Sequence, residues 1–128
     1  MQNLVGIVRR EDEMQQALEK IAKLKLRAAK AGITGNREYN NGWHTAMDLD
    51  NLLTVSEVVT RAALERKESR GAQFRDDYPE KSEEWGKYNL RVTKTAGGGP
   101  NVGGGPNVAR VPVVPIPDEL KQVIEEQK

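Results

Sequence analysis

A chain of 128 residues holds one modest core and leaves a large share of its surface exposed. Twenty basic against nineteen acidic side chains give a net charge of +1, so no global field draws nucleic acid or an anionic membrane. The absence of cysteine excludes disulfides and thiolate metal sites, and no apolar run approaches the ~20 residues that span a bilayer.

Phe, Trp and Tyr together reach only 5%, so a core here rests on Leu, Val, Ile, Ala and Met, which favours packed helices. Met1 to Val8 is a short apolar strip that reads as the last turn of a helix begun earlier, with Gly6 ending it in a positive-φ conformation. From Glu11 to Ala31, Met14, Ala17, Leu18, Ile21, Leu24 and Ala28 follow a three-four spacing that predicts an amphipathic helix. Its acidic first turn and basic second half match the helix dipole, and Gly32 is expected to stop it. Residues 33–42 lack periodicity and read as a loop. Between Trp43 and Arg70 there is no Gly or Pro, and apolar residues cover more than one face, so a second long helix is expected to end at Gly71 and to need more cover than one partner helix supplies.

Beyond Trp85 the character changes. Residues 88–93 alternate weakly and read as a short strand. The hexamer Gly-Gly-Gly-Pro-Asn-Val occurs twice in tandem, at 97–102 and 103–108, and reads as a flexible loop. Val111 to Pro117 is extended because its prolines deny helix and central-strand bonding. A last short helix is predicted to start at Asp118, with that side chain capping the amides of Leu120 or Lys121.

Little here has the spacing of an active site. His44 is the only histidine and no Ser or carboxylate constellation is tied to it. Asp76-Asp77 and Glu83-Glu84 are adjacent pairs in turns rather than a ligand set. The glycine hexamers lack the strand before and the helix after that a phosphate-binding loop needs. Lys20, Lys23, Lys25, Arg27 and Lys30 read as a solvated basic face. The run from Glu65 to Pro79 differs, because its charges sit where a helix ends and the chain turns. There Arg66, Arg70 and Arg75 can pair with Glu68, Asp76 or Asp77, and Arg70 is placed beside the last helical carbonyls.

That run, Glu65-Arg-Lys-Glu-Ser-Arg-Gly-Ala-Gln-Phe-Arg-Asp-Asp-Tyr-Pro79, resembles a signature near the C-terminal end of the flavoprotein subunit of succinate dehydrogenase and fumarate reductase. The resemblance extends back through Asn41 to Leu53 and the lead-in Val5 to Arg9. L-aspartate oxidase is a relative that carries a similar signature. The family commonly has histidine where this chain has Gln73, which cannot titrate. The tandem hexamer is not a recognised family feature, and it places residues 97–128 outside the resemblance.

The resemblance implies a mainly α fold, a three-helix-bundle-like (spectrin-repeat-like) domain over residues 1–96. Two long antiparallel helices would dominate it, a truncated N-terminal helix would be the third, and an irregular or short-stranded extension would follow over 97–128. It implies a detached C-terminal structural or docking domain of a flavin-dependent succinate/fumarate oxidoreductase, inactive alone. FAD would be held by earlier domains, and this chain would hold no cofactor, catalytic residue or metal. The implied partners are the flavin-binding and capping domains and the iron-sulfur subunit. The implied place is the cytoplasm, peripheral to the inner face of a membrane, without insertion. Arg66, Glu68, Ser69, Arg70, Gly71, Arg75, Asp77, Tyr78 and Pro79 are the signature and candidate docking residues. Two alternatives stay open: a free-standing helical interaction module that buries its second face in a homodimer, and the C-terminal domain of an L-aspartate oxidase-like flavoenzyme.

Overall fold

The computed structural model describes residues 1–95 and 105–127. It consists of two long packed helices, a third short one and two small sheets. In chain order these are β1 (Val8–Arg9), α1 (Glu11–Ala28), α2 (Asn41–Glu65), β2 (Phe74–Arg75), a 3-10 turn (Trp85–Lys87), β3 (Tyr88–Thr93), β4 (Asn107–Pro112) and α3 (Asp118–Glu126).

The three-four spacing of α1 sets the core. Met14 and Ala17 point inward and meet Ala63 of α2 and Val5 of the N-terminal turn, while Ile21 and Leu53 are buried farther along the pair. At the other end Lys25 of α1 hydrogen-bonds Glu57 of α2, so the helices run antiparallel. Arg61 donates to the same carboxylate at 2.8 Å. Burial pushes Glu57 up, and its bonds to Lys25 and Arg61 outweigh that and hold it below the usual carboxylate range. Among the helix residues Thr60 is fully buried, and its hydroxyl donates 2.7 Å to the Ser56 carbonyl one turn back.

Several expectations are corrected. The architecture is not a three-helix bundle. Residues 1–7 form a single turn, closed by the Val5 amide on the Met1 carbonyl at 2.7 Å, and the chain then enters β1. Gly6 does not take a positive φ, and its role is steric: a Cβ there would lie 2.9 Å from the Gln2 carbonyl oxygen. Helix α1 ends at Ala28, three residues short of the predicted Ala31, and the final amides of Lys30 and Ala31 close tight turns on Arg27 and Ala28 before Gly32 is reached. Helix α2 starts two residues early, capped by Asn40, whose side chain accepts from the Gly42 amide and ties back to the Thr34 and Asn36 carbonyls. It stops at Glu65, five residues before Arg70, because Arg66 turns to φ −80° and ψ 102°.

The C-terminal region is more ordered than its composition suggests. β3 pairs antiparallel with β4, Tyr88 opposite Pro112 and Thr93 opposite Asn107. Asn107 and Val108 of the second hexamer therefore belong to a strand rather than a loop, while residues 96–104, with the whole first hexamer, lie outside the described residues. Pro112 is tolerated because this sheet has two strands, so each has a free edge. Helix α3 starts at Asp118 as predicted, but Asp118 does not cap it. Its carboxylate pairs with Lys121 at 2.8 Å, and the Leu120 and Lys121 amides bond the Pro117 carbonyl.

Gly71 and Gly6 separate two uses of glycine. Gly71 has φ +59° with nothing within 4 Å of an added Cβ, so Gly71→Ala is expected to cost about 1 kcal/mol from backbone conformation alone. Gly6→Ala is expected to cost more through the clash with Gln2. Urea midpoints of the two variants check the order.

Candidate docking site

The parallel pairing of β1 with β2, Val8 opposite Phe74 and Arg9 opposite Arg75, folds the signature onto the chain's beginning. The Phe74 amide bonds the Ile7 carbonyl and the Asp76 amide bonds that of Arg9. Arg75 is thereby driven into the interior, where it is fully buried.

A buried guanidinium is tolerated only if its N–H groups are matched. Arg75 Nε and Nη2 each hold one oxygen of Asp77 at 2.6 Å, a bidentate fork. Nη1 points at the end of α2 and donates to the carbonyls of Ala63 at 2.9 Å and Leu64 at 3.2 Å. It also reaches the Arg66 carbonyl at 3.4 Å. These are the orphan carbonyls of a helix C-terminus, and a cation there also suits the helix dipole. The other side of the fork serves α1. Arg10 supplies no side-chain cap, and Asp77 Oδ2 instead accepts the Glu11 amide at 3.1 Å. One Arg–Asp pair therefore closes the end of α2 and the start of α1. The bonds from Arg75 hold the Asp77 carboxyl below the usual carboxylate range.

The expected placement of Arg70 beside the last helical carbonyls is corrected, since Arg75 holds that position. Arg70 instead serves a second ion cluster around Glu68, whose side chain is fully buried. Its carboxylate receives Arg66 on one oxygen and Arg70 Nε and Nη2 at 3.0 and 3.1 Å, with the Ser82 amide at 3.0 Å. Burial raises this carboxyl, and the bonds from Arg70, Ser82 and Arg66 overcome it, so that it falls from the usual 4.5 to about 2.

Ser69 links the two clusters. Its hydroxyl accepts the Arg75 amide at 2.8 Å and donates to the Tyr78 carbonyl at 2.8 Å, while its own amide bonds the Glu80 carbonyl. Gly71 lies in the tight turn that pairs Arg70 with Gln73. The Tyr78 ring lies beneath the Arg75 guanidinium at 5.0 Å, and Pro79 continues the exposed turn toward Glu80. Asp76 and Glu83-Glu84 take no part in these pairs, and no group of acidic residues and histidine among the described residues is arranged to hold a metal.

Sequence reasoning missed four contributors. Glu11 sits 3.6 Å from Arg75. Trp85 is buried beside two guanidinium groups, Arg66 at 5.3 Å and Arg110 at 4.1 Å from the ring centre, and Arg110 also binds Glu65 at 3.0 Å, which ties β4 to the end of α2. Arg9 donates to Gln73 at 3.2 Å while Gln73 donates to the Arg66 carbonyl at 3.2 Å.

The Gln73 bridge needs an acceptor toward Arg9 and a donor toward Arg66. Neutral imidazole supplies both, and imidazolium has no acceptor. Gln73→His is therefore expected to match the parent stability at pH 8 and to lose about 1 kcal/mol by pH 5.5, the loss setting in as pH falls below about 6.5. The sign follows because the folded state disfavours the charged form and so binds fewer protons than the unfolded chain. Thermal unfolding from pH 8 to pH 5.5 checks it, and a parallel response in the unsubstituted chain would refute it.

His44 is exposed at the start of α2, its ring edge-on to Trp43 at 5.7 Å, and Arg37 lies over Trp43 at 4.4 Å. No described helix is long and apolar enough to cross a membrane.

Comparison with known proteins gives a consistent result. Residues 1–116 match the family model described as fumarate reductase flavoprotein C-term. Over 87 residues the chain is 40% identical to the succinate dehydrogenase flavoprotein subunit of Coxiella burnetii, covering 66% of this chain and 15% of that protein. Over 83 residues it is 40% identical to the L-aspartate oxidase of Acinetobacter baylyi, covering 62% and 14%. Among solved structures, the Mycobacterium smegmatis Sdh1 complex in the apo form contains a chain that superposes with a TM-score of 0.78 at 43% identity, over 94% of this chain and 20% of that one. The chain thus spans about a seventh to a fifth of the relatives it matches. The family match runs through the glycine tract to residue 116, which corrects the expectation that residues 97–128 stand outside it for 97–116 and leaves 117–128 beyond the match. Within the matched span β4 pairs with β3 and is tied to Glu65 through Arg110.

Proposed function

Because the chain belongs to the family of fumarate reductase flavoprotein C-terminal domains, we propose that it is the structural and docking domain of a flavin-dependent succinate/fumarate oxidoreductase flavoprotein subunit, without catalysis of its own. The observation that carries this reading is the division of its surfaces. Arg66, Glu68, Arg70, Arg75 and Asp77 bond to one another and to backbone, which suits a clamp that fixes the chain's path. By contrast Leu52, Val55 and Val59 lie in the open on α2 at 63%, 60% and 39% exposure, and Ile7, Val8 and Phe74 are exposed beside the β1–β2 pair. Apolar surface of this kind is normally covered by another element. The flavin-bearing and capping domains are the cover we assign to it, with the iron-sulfur subunit as a further partner in the complex.

The β1–α1 junction does not fit a flavin dinucleotide. β1 runs into α1 through Arg10 with no glycine turn, and Glu11, Asp12 and Glu13 occupy the helix start where a pyrophosphate would sit. FAD is accordingly assigned to other parts of the parent protein.

The test is a graft. Placed in the matching segment of the C. burnetii succinate dehydrogenase flavoprotein subunit, this chain is expected to preserve assembly and succinate oxidation. Supplied alone with flavin, succinate and a dye acceptor, it is expected to give no turnover, and measurable turnover would overturn the reading. The equal identity to L-aspartate oxidase favours a second reading of the parent. A graft active in that enzyme but not in the dehydrogenase would assign it there.

A further inference from the structure

Two surfaces are left over by the clamp and by the α2 face. The first is α3, which buries none of its residues. Leu120, Val123 and Ile124 form one apolar stripe at the i, i+3, i+4 spacing of a helix that lies in a groove, each about half exposed. Glu119 and Glu126, seven residues apart, border that stripe on the same side of the helix. The second surface is the outward side of α1. Lys20, Lys23 and Arg27 recur there at three-four spacing, with Lys30 in the turn that follows, and all four are exposed and make no ion pair among the described residues. Leu24, 44% exposed, lies beside Lys20 and Arg27. Lys25, read with them from the sequence, instead turns inward to Glu57.

The two surfaces match in sign and spacing. Glu119 to Glu126 and Lys20 to Arg27 are both two helical turns, about 10.5 Å. Laid side by side, the two helices set both carboxylates against both cations and the Leu120–Ile124 stripe against Leu24, the arrangement by which flanking charges select partners in helix pairs. α3 is not seated on the α1 of its own chain, since its stripe is open to solvent. We propose that α3 docks on the α1 helix of a second copy of this chain, through Glu119 and Glu126 on Lys20 and Arg27, and that two copies exchange these arms reciprocally across a two-fold axis. This inference is independent of the family reading.

Sedimentation equilibrium of the 128-residue chain at tens of micromolar tests it. A dimer is expected that weakens about tenfold between 50 mM and 500 mM salt. Glu119→Lys with Glu126→Lys, or Lys20→Glu with Arg27→Glu, is expected to weaken association by about tenfold or more. An equimolar mixture of the two charge-reversed proteins should recover it, because each arm then meets the opposite sign. All four positions are exposed or at a helix surface, and circular dichroism confirms that the variants keep their helices. A monomeric parent chain would overturn the proposal. So would a dimer indifferent to both reversals, which would place the seat on the apolar face of α2. A monomer whose melting temperature responds to the reversals would also overturn it, by placing the arm on its own α1.

Discussion

Arg75→Met is expected to cost the domain about 3–5 kcal/mol, a large part of the stability of a unit this size. Methionine keeps most of the volume, so the loss would not come from a cavity. It would come from Asp77, left with backbone amides alone, and from the carbonyls of Ala63 and Leu64, left without a donor where water has poor access. Both helix ends depend on this side chain, so the fraying should be shared: amide exchange should rise in the last turn of α2 and the first turn of α1 alike. Arg75→Lys should recover only part of the loss, because an ammonium cannot hold both oxygens of Asp77 and also reach α2. A cycle with Asp77→Asn separates the pair from the cap. The double variant should lose less than the sum of the single ones, by at least 1 kcal/mol. A near-neutral Arg75→Met in urea titrations would mean that the clamp is ornamental.

What the sequence revealed and what it concealed divide along the range of the interactions. The three-four spacing of Met14, Ala17 and Ile21 is local, and these are the residues α1 buries. The alternation over residues 88–93 is local too, and it became β3. The end of α2 was misplaced because Arg66 to Arg70 is as willing a helix former as what precedes it. What stops the helix is Arg75 taking up its last carbonyls from nine to twelve residues downstream, and Glu68 being needed in a different cluster. The parallel pairing of Val8–Arg9 with Phe74–Arg75 was invisible for the same reason, since two-residue strands carry no period and the partners are 66 positions apart. Without that pairing in view, the N-terminal strip reads as the remnant of a third helix.

The candidate site shows the same split. Residue types and their crowding at a helix end announced an ion-paired turn, and both acidic centres were among the carboxylates named. The pairing itself was open, because Arg66, Arg70 and Arg75 are chemically alike and Glu68, Asp76 and Asp77 are all within reach along the chain. Burial decided it. Glu68 and Arg75 are turned inward, and each takes the partners that its own depth demands, whereas Asp76 faces outward. The roles of Glu11, Trp85 and Arg110 required knowing which distant segments meet at this end of the helix pair, and no spacing rule reports that.

The Glu68 cluster leads to the second large effect, which appears in acid. A carboxyl at about 2 in the folded chain against 4.5 in the unfolded one binds fewer protons when folded. Its contribution is therefore complete above pH 4.5 and drains away as pH falls toward 2. Asp77 and Glu57 are lowered as well, so they act in the same direction. Urea midpoints are expected to be flat from pH 8 to pH 5 and to fall steeply below pH 4.5. Glu68→Gln is expected to cost about 3 kcal/mol at pH 7, because an amide has one acceptor oxygen for Arg66, Arg70 and the Ser82 amide, and its own N–H groups face other donors. Part of that loss is softened by Arg70, whose side chain is 42% exposed and can regain water. The decisive reading is the slope. Between pH 4.5 and pH 3 the variant should take up up to one proton fewer on unfolding than the parent chain, so its stability should fall less steeply over that interval while remaining lower in absolute terms at neutral pH. Parallel curves offset by a constant would show that the acid sensitivity resides in other carboxylates, and that the two arginines do not hold Glu68 as an anion.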